Sequence, residues 1–378
     1  MAQEDFNDNS HSHFDALRAI QATPFNFKGV ILRNLFISFL CFIAINANAE
    51  INREWEDYSD PAIRNPNYEK SFTNLPLKGI VTDNRKIWAN DYWAHKKGSI
   101  NFRWNAKKPI GFDLKSPSRE EALLMSQESI AELAATEKLD LLNGDYSYTL
   151  KNEVDKIANK HAAIWHGICN GWSPATINHN EPTPKTFTNA DGVVIPFGSS
   201  DIKALISYYY AFHHEVRSTH QMGKRCLLVG PGCDDDLNAG AFHIVLANTL
   251  GKGESMIADV ERGRQVWNHA VSEFTTTVVE ANLAPGKKAA KGTVRVVRVK
   301  TDMTFVQAIT KNSWYPTLGT VDHVNGIRNY EYTLELDASG RIIGGEWISK
   351  VRPDFIWEME KATTFTGTFA KLPQLLND

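Results

Sequence analysis

Three residues of this chain have the types needed for thiol acyl-transfer chemistry: Cys169, His243 and Asp259. A thiol nucleophile needs a base that removes its proton, and the base needs a third group that fixes its tautomer and steadies its charge. Cys169 lies in the stretch WHGICNGWSP, with a glycine two residues away on each side and with Trp165 and Trp172 nearby. Glycine allows backbone to approach closely, so we predict that Cys169 is the nucleophile.

The base and the acid are predicted from two apolar runs with the composition of neighbouring strands. His243 lies within AFHIVL (241–246), and Asp259 lies within IADV (257–260), beyond a Gly-Lys-Gly turn. A histidine in such a strand is more often a core residue, but a buried aspartate without a partner is costly. We therefore predict that His243 and Asp259 are partners. Other residues compete for these roles, namely His166 and His179 as the base and Asn268 and Asp201 as the orienting group.

Helical signatures surround the cysteine. Ser118 followed three residues later by Glu121 is a capping box, which predicts a helix start. Asn143-Gly144 predicts the end of a second helix. A third run, from about 149 to 165, predicts a helix that ends shortly before the cysteine.

The residues after the cysteine bear on its reactivity. Ser173-Pro174 resembles a helix cap with proline in the first turn, where a missing N–H costs nothing. A helix that starts at or just after Cys169 would bring its positive amino terminus to the sulfur and favour the thiolate. Ser200 is predicted to cap a further helix that runs through Tyr209. Helices are thus expected over about 116–215.

From residue 241 onward the pattern predicts strands. Short apolar runs at 241–250, 255–260 and 265–271 are separated by glycine-containing turns. Residues 293–306 alternate valine with arginine and lysine, and a hairpin is predicted at Asp337-Ala338-Ser339-Gly340. The predicted fold is therefore α+β with a papain-like arrangement, in which helices come first and an antiparallel sheet follows at about 241–350. Residues 50–115 are predicted to wrap around a catalytic domain at 116–372.

Composition limits the function classes. The 378 residues are 42% apolar, which is ample for a buried core, and 41 Lys and Arg against 44 Asp and Glu give a net charge of −3. No basic stripe is present, which argues against nucleic acid as a partner.

The first 49 residues resemble a leader with a Sec-type signal peptide. Lys28 and Arg33 supply the basic region, residues 35–45 the apolar run, and Ala47-Asn48-Ala49 a small-residue cleavage site. The run is short for a membrane-spanning helix, although an uncleaved anchor is an alternative. The polar stretch at 1–27 departs from the pattern and is explained by a start site placed too early. We predict a secreted or periplasmic protein without membrane association after leader removal.

Cysteine counting singles out Cys169. Of the four cysteines, Cys41 would leave with the leader, and Cys226 and Cys233 flank a Gly-Pro-Gly turn. In an oxidising compartment those two are the predicted disulfide pair. Cys169 would then be the free thiol; the alternative is a bond from Cys169 to one of the other two.

Several segments resemble one known family. WHGICNGWSPA (165–175), NAGAFHIVL (238–246) and VWN (266–268) are similar to the transglutaminase elicitor family of plant-pathogenic oomycetes and bacterial relatives. Further likeness lies at 137–142, 201–205 and 344–347, so that the resemblance spans about 92–357. It implies a secreted protein-glutamine γ-glutamyltransferase with Cys169 as nucleophile, His243 as base and Asp259 as acid. Residues 269–274 follow the family's defence-eliciting peptide only in part, and none of them is assigned a chemical step.

The predicted partners are substrate proteins that bear glutamine and lysine. The glutamine acyl group would be carried as a thioester on the cysteine before it is transferred to the lysine amine. Trp165 or Trp172 would shield that thioester from water, unless they are core residues. No cofactor is predicted, and a divalent-cation requirement is left open. The histidines near 213–220 lack the cysteine or carboxylate ligands that would complete a metal site. Asp234-Asp235-Asp236 is predicted to be a solvated acidic loop, with calcium binding as the alternative. Two alternatives stay open: a papain-like cysteine peptidase, amidase or glutamine deamidase, and a non-catalytic secreted effector that retains the fold.

Overall fold

One antiparallel sheet and a group of helices position the residues of interest. The computed structural model describes Trp55 and residues 58–215, 220–225 and 237–378. The helices are α1 (Arg119–Leu124), α2 (Gln127–Ala131), α3 (Ala135–Asn143), α4 (Thr149–Asp155), α5 (Cys169–Asn178), α6 (Ser199–Phe212) and α7 (Ala239–Leu250). The strands are β1 (Lys78–Ile80), β2 (Lys185–Thr188), β3 (Val194–Phe197), β4 (Met222–Gly223), β5 (Ile257–Asp259), β6 (Asn268–Leu283), β7 (Arg295–Val306), β8 (Asn325–Leu336), β9 (Ile342–Gly344) and β10 (Phe355–Trp357).

The described strands form an eight-stranded sheet and a separate β2–β3 hairpin. The sheet has the order β4-β10-β5-β6-β7-β8-β9, with β1 also paired to β6. Every pairing is antiparallel, and the long β6–β7–β8 meander forms its centre. The prediction of a mixed fold with an antiparallel sheet is confirmed.

The order of elements differs from the prediction. Strand β1 and the β2–β3 hairpin lie before or among the helices, and helix α7 interrupts the predicted run of strands. Strand β10 comes from residues after the predicted sheet and pairs between β4 and β5. The helices-first order and the papain-like arrangement are therefore not confirmed.

Helix ends follow local chemistry where the sequence provides it. Ser118 and Glu121 form the predicted reciprocal capping box at the start of α1. Gly144 ends α3 in the left-handed conformation at φ 74°, which glycine adopts at little cost. The third predicted helix, at about 149–165, is shorter than expected: α4 ends at Asp155.

Helix α7 corrects the predicted strand at 241–250. All twelve of its residues are buried, so its sequence has no polar face and no helical hydrophobic period. The Asn238 side chain accepts hydrogen bonds from the backbone N–H groups of Gly240 and Ala241 and so caps the helix. His243 therefore lies on a helix rather than on a strand.

The described residues include two large apolar clusters that surround different helices. One surrounds α5 and α6 and includes Trp88 and Trp93, which are both buried. The other packs α7 against the β6–β8 meander. The described residues all belong to one compact unit, Asn52–Asp378. The predicted leader, residues 1–49, lies outside the described part of the chain. Within the described residues, no helix has the length and apolar character needed to cross a membrane.

Candidate active site

Cys169 is the first residue of helix α5. It is a free cysteine with 6% of its surface exposed. The N–H groups of Gly171 and Trp172 both donate to the Ile168 carbonyl, which closes the first turn. At a helix start the leading N–H groups have no carbonyl four residues earlier to bond, and the helix dipole is positive there. The cysteine thus lies where a helix favours negative charge.

The helix starts earlier than Ser173-Pro174 had indicated. Pro174 lies inside α5 rather than in its first turn. Ser173 is not a cap, because its Oγ donates a 2.7 Å hydrogen bond to the Asn268 carbonyl of strand β6. This bond ties the cysteine helix to the sheet.

The two glycines that flank Cys169 serve packing rather than access to the sulfur. A Cβ at Gly167 would lie 2.4 Å from the Tyr92 carbonyl oxygen. A Cβ at Gly171 would lie 2.0 Å from the Ser207 carbonyl oxygen on helix α6. Both glycines therefore let neighbouring backbone pack against the start of α5, which holds Cys169 in place.

Polar groups of strand β6 and the segment before it reach the sulfur. The Cys169 thiol donates to the Val266 carbonyl at 3.7 Å, and the Asn268 side-chain Nδ2 lies 3.8 Å from Sγ as a donor. Burial raises the pKa of the Cys169 thiol, and the charge of Asp259 raises it further. Hydrogen bonds from Asn268 and from the backbone of Asn170 act in the opposite direction. The site therefore combines thiolate-stabilising donors with a buried, protonated resting thiol.

Asp259 is the carboxylate whose charge acts on this thiol. It ends strand β5, directly opposite Asn268 in the β5–β6 register. Its Oδ1 accepts a 3.0 Å hydrogen bond from the Trp267 N–H, while Oδ2 is buried without a hydrogen-bond partner among the described residues. Burial raises the pKa of Asp259 to about 8. Asp259 therefore lies close enough to Cys169 to influence its thiol electrostatically, and its role as the acid stays a prediction.

His243 occupies a different environment. It is fully buried on α7, and its Nδ1 hydrogen-bonds the Tyr332 hydroxyl at 2.8 Å. Its ring also packs against Phe72, with centroids 6.1 Å apart. Burial lowers the pKa of His243 to about 4, which keeps the imidazole neutral. The contacts found for it in the described regions do not include Cys169 or Asp259, and its role as the base stays a prediction.

The rival residues have other roles. His166 is exposed and packs edge-on against Trp165, with centroids 4.2 Å apart. His179 is buried and bonds Asp378 and the Tyr210 hydroxyl at the opposite end of α5. Asp201 forms a buried ion pair with Lys138 at 2.7 Å. Of these rivals, Asn268 is the one that contacts the sulfur.

The two predicted shielding tryptophans differ. Trp172 has no exposed surface, and its indole N–H donates to the Trp88 carbonyl, so it is a core residue rather than a substrate contact. Trp165 is half-buried. Trp267, which the sequence did not single out as a site residue, is also half-buried and packs edge-on against Tyr92 with centroids 5.4 Å apart. Val-Trp-Asn in the sequence was the signal that could have drawn attention to it.

Other predicted features lie partly outside the described residues. Cys226 and Cys233, the predicted disulfide pair, are outside them, as is Asp234-Asp235-Asp236. No group of metal-ligating side chains occurs in the portion of the chain that is described.

Comparison with known proteins extends this picture. A family model described as transglutaminase elicitor matches residues 65–225 and 231–371, which is most of the chain. The chain belongs to the transglutaminase elicitor family. Its structure is similar to the crystal structure of the GP42 transglutaminase from Phytophthora sojae, with a TM-score of 0.62 and 26% identity. That match covers 83% of this chain and 94% of GP42. No curated protein matches the chain.

Proposed function

We propose that this member of the transglutaminase elicitor family is a secreted, cysteine-dependent protein-glutamine γ-glutamyltransferase. The observation that carries the proposal is Cys169 itself: a free thiol on the first turn of α5, contacted by Asn268 and lying within the field of Asp259. Similarity to GP42, a transglutaminase, supports the acyl-transfer reaction. Secretion in this proposal depends on the signal-peptide pattern in residues 1–49.

In the proposed reaction, the sulfur of Cys169 attacks the carboxamide carbon of a protein-bound glutamine. The thiol proton passes to the leaving nitrogen, the C–N bond breaks, and ammonia departs, leaving a thioester on Cys169. A lysine amine of a second protein then attacks the thioester carbonyl, which forms an isopeptide bond and returns the thiol. Water in place of the amine gives glutamate.

The start of α5 is suited to the charged intermediate of both steps. The backbone N–H groups of Cys169 and Asn170 lie on the first turn, where a helix leaves its N–H groups without partners of its own. Such donors stabilise an oxyanion, and each is typically worth about 100 to 1,000-fold in rate. The proposal therefore gives the helix start the role of an oxyanion site.

Proton transfer is assigned by the prediction to His243, supported by Asp259. The neutral imidazole of His243 has the charge state of a base, but its hydrogen bond is to Tyr332. Asp259 interacts electrostatically with the thiol and has a pKa near the pH at which a general base works best. Replacing each separately distinguishes the two. If His243 is the base, His243→Gln abolishes transfer; if Asp259 takes the proton directly, Asp259→Asn abolishes transfer and His243→Gln does not.

The function is tested by amine incorporation. The purified protein is incubated with a glutamine-rich protein and a labelled primary amine, beside a Cys169→Ala variant. Label incorporated by the wild-type protein and lost in the variant supports the proposal. Cleavage of the glutamine-rich protein without incorporation of label indicates a cysteine peptidase. Release of ammonia without incorporation of label indicates a deamidase.

A matched control separates loss of the thiol from loss of the fold. Cys169→Ser keeps nearly the same volume at the helix start and replaces the sulfur with a much weaker nucleophile. If both Cys169 variants have the same unfolding free energy as the wild-type protein, and none of the three proteins shows activity, the non-catalytic effector is the correct alternative.

A further inference from the structure

Asn268 is held to the cysteine helix through both its backbone and its side chain. It is the first residue of β6 and is 4% exposed. The Ser173 hydroxyl on α5 donates to its carbonyl at 2.7 Å. The Ser173 hydrogen bond therefore fixes the backbone of Asn268 relative to the cysteine helix without involving the sulfur.

The orientation of the Asn268 amide is set by Trp357 on strand β10. The Trp357 indole N–H donates to Asn268 Oδ1 at 2.8 Å. Because an indole N–H can only donate, the oxygen of the amide must face Trp357 and the nitrogen must face the other way. That nitrogen, Nδ2, lies 3.8 Å from Cys169 Sγ. The chemistry of the indole thus determines which end of the amide meets the sulfur.

The environment of the sulfur makes such a donor useful. Cys169 is buried, and the negative charge that Asp259 carries above its pKa of about 8 opposes a second negative charge on the thiolate. A hydrogen bond from an amide N–H favours the charged form of its acceptor and offsets both effects.

We propose that Asn268 is a further catalytic residue, whose Nδ2–H donates to the Cys169 thiolate and stabilises it for attack, and that Trp357 is the positioning residue that aims this donor. This inference deepens the proposed function and depends on Cys169 being its nucleophile. The Val-Trp-Asn segment thereby contributes a group to the reaction itself.

The test measures the ionisation of Cys169 directly. Alkylation by iodoacetamide is followed across a range of pH by mass spectrometry of the peptide that contains Cys169, so that the other cysteines do not contribute. Only the thiolate reacts, so the midpoint of the pH profile reports thiol ionisation, whereas altered access changes only its height.

Three variants are compared with the wild-type protein. In Asn268→Ala the midpoint is expected to rise by about one unit and alkylation near neutral pH to fall about tenfold, the size of one hydrogen bond to a charged group. Asn268→Asp, which replaces the donor with a charge of the same sign as the thiolate, is expected to shift the midpoint further. Trp357→Phe keeps an aromatic ring in place but removes the hydrogen bond that orients the Asn268 amide. It is expected to raise the midpoint as well, but by less than Asn268→Ala does.

The control is Trp347→Phe, which also removes an indole hydrogen bond. That bond goes to the Leu237 carbonyl, away from the cysteine, so the profile is expected to match the wild type. Profiles of Asn268→Ala and Trp357→Phe that superimpose on the wild type would overturn the inference. If Asn268→Ala does not fold, Trp357→Phe decides the matter alone.

The failure of this inference is distinguishable from that of the proposed function. Shifted alkylation profiles with no amine incorporation by the wild-type protein leave Asn268 as a thiolate donor and refute the transferase. Amine incorporation with unshifted profiles supports the transferase and refutes the donor role of Asn268.

Discussion

Replacing His243 with glutamine is expected to flatten the acid side of the protein's stability profile. His243 is fully buried, and burial lowers its pKa from the ordinary 6.5 to about 4. The unfolded chain therefore binds a proton at this residue at a higher pH than the folded protein does. The stability associated with the neutral imidazole is present above pH 6.5 and is lost as the pH falls through about 4.

The magnitude follows from the two pKa values. The full interval from 6.5 to about 4, at about 1.4 kcal/mol for each pH unit, corresponds to about 3–4 kcal/mol of unfolding free energy, of which about 3 kcal/mol has been lost when the pH reaches 4. A glutamine amide can still hydrogen-bond the Tyr332 hydroxyl, but it does not titrate. Between about pH 7 and about pH 4, the wild-type protein should lose about 3 kcal/mol more than His243→Gln does.

Urea unfolding followed by tryptophan fluorescence, repeated across this pH range, measures the difference. His166→Gln is the matched control because it removes an exposed histidine in place of the buried one. Parallel profiles for His243→Gln and the wild type would refute the reasoning, since they would mean that the imidazole titrates alike in the folded and unfolded states.

Two further substitutions test the packing around the site. Gly171→Ala should lower the unfolding free energy by about 1–3 kcal/mol, because its Cβ would lie 2.0 Å from a carbonyl oxygen of α6; Gly286→Ala, where nothing lies within 4 Å, should match the wild type in the same urea titration. Lys138→Met should cost about 3–5 kcal/mol by leaving Asp201 as a buried charge without its ion-pair partner. Lys115→Met, which removes an exposed ion pair with Glu121, should leave the unfolding free energy close to that of the wild type, and equal losses in the two lysine variants would contradict the argument.

The elements that the sequence predicted well are those whose signals are local. The capping box of Ser118 and Glu121 and the Asn143-Gly144 stop use chemistry within one turn, so no distant contact is needed to recognise them. The alternation at 293–306 predicted β7 because one face of that strand packs on the core while the other meets solvent.

Helix α7 was mispredicted because burial on all sides removes the pattern that separates a helix from a strand. A run such as AFHIVL has the composition of a buried strand, and length alone decides between the two. Asn238 was the available signal, since asparagine is among the best helix caps.

The site was predictable to the extent that it depends on residue type. The sequence indicated a helix that starts at or just after Cys169, and the structure begins α5 at that residue. The catalytic roles of Cys169, His243 and Asp259 stay predictions. Asn268 was considered only as an orienting group for a histidine. Its contact with sulfur depends on the β5–β6 register and on Trp357, which is 89 residues away along the chain, and no local pattern encodes either.

Strand β6 has a use in experimental design. It begins at Asn268 beside the cysteine and runs to Leu283, roughly 50 Å at the usual rise per residue. Its far half is exposed, and the connection to β7 at 284–294 is mostly exposed as well. A fluorophore, affinity tag or surface tether placed in that connection would be attached beyond the end of β6 that lies far from the thiol. Single-molecule or immobilised assays of the reaction therefore have an attachment point that leaves the cysteine helix untouched.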